Sequence, residues 1–290
     1  MLMIHGYTDN FLMDNAKNVQ GISPLAHVHP NAAIGRNTAV LPFTFIEADV
    51  VIGNNCWIGP NVTILDGARI GDNCRIFPGA VISAIPQDLK FAGEITTAEI
   101  GHNTTVRECV TINRGTQYAG KTVVGNNCLL MAYVHVAHDC LLGDNVILAN
   151  CVNLAGHVII DDFAILEGFV GVQQFVRIGT HSFIAANSFV RKNVPPYIKA
   201  AREPLAYAGI NSVGLTRRGF SRQTIHHIQD VYRYIFVMGL SVSKALDMIE
   251  NEVQQSPETE LITTFIRNSP KGILKPFKNA NGSEEAEDED

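Results

Sequence analysis

The sequence predicts an all-β chain of stacked parallel coils, a parallel β-helix, followed by a small α-helical domain. Three observations carry this reading. A branched aliphatic returns every sixth residue, a small residue follows each by four, and the period stops at KNVPPY, where helical spacing takes over. A six-residue period is too short for a helical solenoid and matches short strands joined by turns.

The comb begins at Ile22 and runs unbroken through Val28, Ile34, Val40, Ile46, Ile52, Ile58, Ile64, Ile70, Ile76 and Ile82. It resumes at Ile100, Val106 and Ile112, passes over Tyr118, and continues from Val124 to Val190. Only Asp88, Glu94 and Tyr118 break it, so the repeat organises the chain throughout this span. The interval from Ile82 to Ile100 is itself eighteen residues, and PQDLKFAGEITTAE can leave the coils there as a loop near 84–99. Cys56, Cys74, Cys128 and Cys140 all occupy the small slot and are read as core fillers. With no C-x-x-C pair among six cysteines, neither a zinc ribbon nor a dense disulfide framework is expected, and a reducing cytoplasm fits.

Pro195 and Pro196 should forbid another paired strand. Beyond them Ser221 can cap a helix with Ile225, Ile228, Val231, Tyr232, Ile235 and Phe236 on one face. Ser243 to Gln254 reads as a second helix, and Pro257 to Arg267, opened by Ser256, as a third. The expected organisation is an N-terminal extension (1–21), the β-helix (22–195), a linker with the helical domain (196–277), and an acidic tail (278–290).

Charge restricts the partners. The formal net charge is -6, but six of the 28 acidic residues lie in the last seven, EEAEDED. That leaves 22 acidic against 22 basic residues in 1–283, a neutral body with no general field for nucleic acid. The tail has too little apolar surface to fold and is expected to be disordered. The first twenty residues lack the features of a secretory signal, and no window is apolar for the length of a bilayer span.

The comb resembles the hexapeptide-repeat, left-handed parallel β-helix family, which implies three hexads per coil. Residues eighteen apart then stack about 4.8 Å from one another. In YVHVAHD (133–139), neither His135 nor His138 falls in an inward slot, so both should face outward. Eighteen residues beyond His138 is Gly156, and eighteen further is Gln174. A bare glycine backbone beside an imidazole offers an amide for a developing oxyanion and a base for a hydroxyl proton, the two needs of acyl transfer. The gamma-class carbonic anhydrases resemble this shape and bind zinc through three histidines. Although His135, His138 and His157 suffice in number, their spacing does not match that class, and no metal site is expected.

Seven strings in order, QDLKFAGE, RECVTINRGT, VHVAHDC, LAGHV, QQF, VPPY and GLTRRGFS, resemble the acyl-[acyl-carrier-protein] UDP-N-acetylglucosamine O-acyltransferases. These act first in lipid A synthesis, and the resemblance covers about residues 22 to 275. It implies His138 as general base, Asp139 as its orienting partner and Gly156 as oxyanion donor. On plain strand alternation His138 and Asp139 point oppositely, so their contact needs a bend at the corner. The resemblance further implies that His135 and His157 line the cleft, that Asp88 and Lys90 bind the sugar, and that Asn211, Arg217 and Arg218 hold the nucleotide and its diphosphate. Gln173 and Gln174 are assigned to substrate binding, and the small Ala186 to the acyl-chain ruler position. Two departures stand out: Gln173 replaces a histidine usual before QF, and Val213 replaces a glutamate.

No cofactor is implied, since the acyl carrier protein brings its own phosphopantetheine arm. Homotrimers with clefts between subunits are implied as well. Two other readings remain open: N-acylation of a 3-amino analogue of the sugar nucleotide, and a noncatalytic β-helix scaffold. The N-acyltransferase acting later in the pathway fits less well, because it lacks the QDLK loop and RRGF segment.

Overall fold

The computed structural model describes residues 21–276. The N-terminal extension, but for its last residue, and the acidic tail lie outside the described residues. The chain winds as a left-handed parallel β-helix whose three faces are sheets of nine, eight and ten strands, parallel except for the last strand of the third. Most strands are two residues long, and from Val40 to Val190 they follow one rule: the comb aliphatic points inward and is buried, while the residue before it points out. The small residue four later is buried too, and all four cysteines in that slot sit in one continuous core. Burial pushes Cys128 up to about 11 and Cys140 up to about 12, which suits inert fillers.

The prism turns most of its corners at the third residue after an aliphatic, where φ is positive. Asn37, Asn55, Asn73, Asn103, Asn127 and Asn145 take this role at one corner, as the residue type that best tolerates the left-handed region should. Asp139, His157 and Phe175 take it at a second corner.

Register reveals two insertions. Over most of the prism partners lie eighteen apart, as in His135↔Asn153 and Leu154↔Val172. Ile70 pairs with Ile100 and Ile82 with Ile112, a separation of thirty. The interval between Ile82 and Ile100 therefore contains an ordinary six-residue step plus twelve residues of loop, 85–96, and not a full coil of loop. Ile100 then pairs with Val124 and Ile112 with Val136, twenty-four apart, so Tyr118 belongs to a second, six-residue insertion within 114–120. Both loops leave from neighbouring rungs and are tied together. The Arg114 amide donates to the Ala84 carbonyl, the Asn113 side-chain amide to the Ile85 carbonyl, and the Thr96 hydroxyl to the Gly115 carbonyl.

The prolines do not end the pairing. Ile198–Ala201 still pairs in parallel with Phe183–Ile184, and Ala206–Ile210 then turns back antiparallel to it. Pro195 and Pro196 sit just before this strand, where their missing amides cost no ladder bond. Four α-helices follow: α1 (Ser212–Arg217), α2 (Arg222–Tyr232), α3 (Val242–Glu252) and α4 (Pro257–Arg267). The side chains of Asn211, Ser221, Ser241 and Ser256 cap them in turn. A single π turn, Arg233–Val237, continues α2, and the six apolar residues of this face are all buried. The Tyr232 hydroxyl donates to the Pro196 carbonyl at 2.6 Å, fastening the domain to the last coil. No helix among the described residues is long and apolar enough to cross a membrane.

Candidate active site

His138 stands outside the core on the corner that carries Asp139, His157 and Phe175, yet it is only 7% exposed. It is not the bare imidazole that its outward slot suggests. Loop 114–120 covers the Asp139 side of this corner, and Tyr118 packs edge-on against His157 at 4.5 Å. The left-handed φ of 59° at Asp139 supplies the bend that a straight strand forbids. Its carboxylate swings back beside the preceding side chain, and His138 Nδ1 lies 2.8 Å from Asp139 Oδ2.

Asp139 is fully satisfied. Oδ1 accepts the Thr116 amide at 2.9 Å and the Ala119 amide at 3.2 Å, while Oδ2 accepts the Thr116 hydroxyl at 2.6 Å and His138 Nδ1. Burial raises this carboxyl, but the donors, Thr116 and His138 foremost, outweigh it and hold Asp139 below the usual carboxylate range. A carboxylate with only donors around it requires a proton on His138 Nδ1. Nε2 is thereby left with its lone pair.

That nitrogen faces Gly156 on the next coil. A Cβ built on Gly156 would lie 2.5 Å from His138 Cε1 and 2.7 Å from Nε2, so only glycine leaves room for the ring. The Gly156 amide donates to no acceptor among the described residues. An imidazole nitrogen and a free amide therefore stand side by side on adjacent rungs.

The other histidines are neutral walls. The His157 ring lies 5.0 Å from His138 at 89° and stacks on Phe175 at 4.4 Å. Burial and the neighbouring His138 lower His157, although the Asp139 and Asp88 charges oppose them. Asp88 thus brings its charge from loop 85–96 to this corner, whereas Lys90 is exposed on the same loop. His135 faces outward on the nine-stranded sheet, 2.7 Å from the Thr111 hydroxyl, and burial lowers it as well. It opens a groove of about 490 Å³ that continues past Asn153, Gly171, Gln173 and Phe189 to Arg191. Gly171 interrupts the outward side chains of that face and makes the depression. Gln174 stands exposed one rung beyond Gly156, and Ala186 is exposed at the corner before the Phe189–Val190 strand.

Asn211 and Arg218 gather elsewhere, over the corner formed by Phe163, His181 and Tyr197, while Arg217 is exposed in the last turn of α1. The Arg218 guanidinium lies 4.5 Å over Phe163, His181 stacks on the same ring at 4.7 Å, and Asn211 donates to the His181 carbonyl while capping α1. One whole face of the prism separates this group from His138. Burial and the Arg218 charge push His181 down to about 4. The unfolded chain takes a proton there near 6.5 and the folded chain resists it, so stability present above pH 6.5 is lost as pH falls towards 4. Thermal melts at pH 7 and pH 5 should show a drop in Tm that becomes smaller by a few degrees in His181→Phe.

His138, Asp139 and His157 offer donor atoms within 4.8 Å of one another, a separation that could suit a metal. The occupancy of Asp139 decides against it. Both of its oxygens are committed to N–H and O–H donors, one of them the proton that a metal would have to displace from His138. Thr116, which makes two of these bonds, was not singled out by the repeat. Its signals were weak ones: it closes the string RECVTINRGT, and the comb breaks at Tyr118 two residues later.

Comparison with known proteins decides the family. The profile described as Udp N-acetylglucosamine O-acyltransferase; Domain 2 matches residues 193–274, and the six-repeat bacterial transferase hexapeptide profile matches 49–84 and 121–156. An acyl-[acyl-carrier-protein]–UDP-N-acetylglucosamine O-acyltransferase of Chlorobaculum parvum is 47% identical over 89% of this chain and 99% of its own. The LpxA UDP-N-acetylglucosamine acyltransferase of Bacteroides fragilis superposes with a TM-score of 0.87 at 54% identity, covering 88% of this chain and 100% of that one. The Francisella novicida UDP-N-acetylglucosamine acyltransferase gives 0.86 at 41%, over 90% and 95%. The chain belongs to the UDP-N-acetylglucosamine O-acyltransferase family. In this member of the family Gln173 lines the groove, and Val213 is exposed in the first turn of α1.

Proposed function

We propose that this chain transfers a 3-hydroxyacyl group from acyl carrier protein to the 3-hydroxyl of UDP-N-acetylglucosamine, the first step of lipid A biosynthesis. The observation that carries the reading is the His138–Asp139 bond of 2.8 Å with Nε2 turned to Gly156. His138 Nε2 takes the proton of the sugar 3-hydroxyl while its oxygen attacks the thioester carbonyl. Asp139 steadies the imidazolium that forms, and the Gly156 amide donates to the oxyanion. On collapse the carbon–sulfur bond breaks, and His138 returns its proton to the departing thiolate. No cofactor is needed, because the phosphopantetheine arm arrives with the donor.

Substrate binding follows the same map. His135, Gln173 and the groove they line accept the acyl chain, with Ala186 as the ruler and His157 and Gln174 beside the reacting centre. Asp88 and Lys90 hold the sugar. Asn211, Arg217 and Arg218 hold the nucleotide and its diphosphate, and their distance from His138 in one chain supports a site completed by a second copy. The exposed aromatics Tyr133, Phe169 and Phe189, at 63%, 64% and 67%, support the same conclusion, since side chains of this size are ordinarily covered. A homotrimer in the cytoplasm, with clefts between subunits, meets both requirements.

The test is incubation with UDP-N-acetylglucosamine and 3-hydroxyacyl carrier proteins of graded length. A hydroxylamine-labile ester is expected. A hydroxylamine-stable amide, formed only with a 3-amino analogue, would favour N-acylation, and no product with either acceptor would favour a scaffold. In the same assay Ala186→Met should disfavour the longest chain accepted by about tenfold or more, because each methylene that a pocket refuses carries a discrimination of that order.

A further inference from the structure

The six residues inserted within 114–120 place Thr116 directly on the carboxylate that orients the base, and they have no counterpart in the regular coil. We infer that Thr116 is a positioning residue: it locks Asp139 as an acceptor of the His138 Nδ1 proton and so keeps Nε2 free to act. The inference rests on the reading of His138 as the base.

The direction of each hydrogen bond is forced. The Thr116 hydroxyl accepts the Tyr118 amide at 3.2 Å, so its single proton is committed to Asp139 Oδ2 at 2.6 Å. That oxygen is the one His138 contacts. The Thr116 and Ala119 amides fill Oδ1, and the Asp139 amide in turn donates to the Thr122 hydroxyl at 2.8 Å. Thr116 and Asp139 are 7% and 3% exposed, so water does not compete for these positions. Hydrogen bonds to a buried carboxylate are among the strong ones, and removing one from a closed set leaves the acceptor free to rotate. A regular six-residue turn would put no donor here. The insertion supplies three at once: one hydroxyl and two amides.

Thr116→Val keeps the shape and both amides and removes only the hydroxyl. kcat should fall about tenfold while KM for both substrates stays within twofold, because the lost bond orients the base and touches no substrate. Thr116→Ser should restore at least half of wild-type kcat. In an Asp139→Asn background, Thr116→Val should cost less than twofold more, since the carboxylate it acts on is gone. A purely structural role would predict loss of folded protein and equal cost in both backgrounds. Either that equal cost, or unchanged kcat in a folded Thr116→Val, overturns the inference. Activity retained in His138→Ala would instead overturn the reading of the base itself.

Discussion

Replacing His138 with alanine should lower kcat by about a thousandfold while the protein stays folded and keeps its affinity for UDP-N-acetylglucosamine. General-base catalysis contributes roughly 10²–10⁴-fold, and here the base also controls a proton that must travel from the sugar hydroxyl to the leaving thiolate. The ring packs outside the aliphatic core, against His157 and Asp139, so its loss leaves the coil ladder intact. The imidazole is nevertheless the second partner of a buried carboxylate. His138→Ala should therefore cost about 1–3 kcal/mol of stability through Asp139, as expected when a donor is taken from a buried charged group. Steady-state kinetics with a calorimetric melt separates the two effects. A variant that loses most of its Tm along with its activity would say that the ring is structural.

Gly156→Ala should be almost as damaging, by a different route. The added methyl has no open space: at 2.5 Å from Cε1 and 2.7 Å from Nε2 of His138 it displaces the base or the rung that carries it. Gly156 does not adopt a positive φ, so the effect is steric and not one of backbone strain. Loss of kcat by about 10²–10³-fold is expected, because the amide is kept but the imidazole beside it is pushed out of position, and general-base catalysis is worth roughly 10²–10⁴-fold. The crowding should leave secondary structure and Tm little changed, because the atoms nearest the methyl are those of the His138 ring, outside the aliphatic core. Circular dichroism and initial rates check this, and a Gly156→Ala enzyme with near-normal kcat would remove Gly156 from the mechanism.

The fold was legible because its code is redundant. One aliphatic every six residues and one small residue four later name the inward positions, and from Val40 onward the structure buries the comb and the cysteines of the small slot alike. The nearness of His138 and Gly156 was legible for the same reason, since they lie in the stretch where partners are eighteen apart. Elsewhere the arithmetic was ambiguous. Insertions of twelve and six residues are multiples of the hexad, so they preserve the comb while shifting which rungs touch. From the sequence, Ile100 looks one full coil beyond Ile82, whereas it neighbours Ile70.

The bonds around Asp139 were hidden for a related reason. Thr116 lies twenty-three residues from Asp139, a separation that no eighteen-residue stack predicts, and the His138–Asp139 contact depends on a left-handed corner that alternation along a strand does not contain. Burial of the His138 ring was equally unreadable, because it is packed by His157 and Asp139, which the loop that breaks the repeat holds in place. At Pro195 and Pro196 the local rule was sound, but the strand simply begins after them. Asn211 shows another limit of residue type alone: its side chain caps α1 as well as meeting His181, and neither bond can be read from a lone Asn before SVGL.

The protonation state of His138 bears most directly on the whole account. Nitrogen-15 spectra of the folded enzyme with labelled histidine, assigned by comparison with His138→Ala, report which ring nitrogen carries the proton. At pH 8 a proton on Nδ1, held by Asp139, and an unprotonated Nε2 facing Gly156 are expected. A neutral ring protonated on Nε2 would contradict it, because such a ring has no lone pair to offer a sugar hydroxyl on that side.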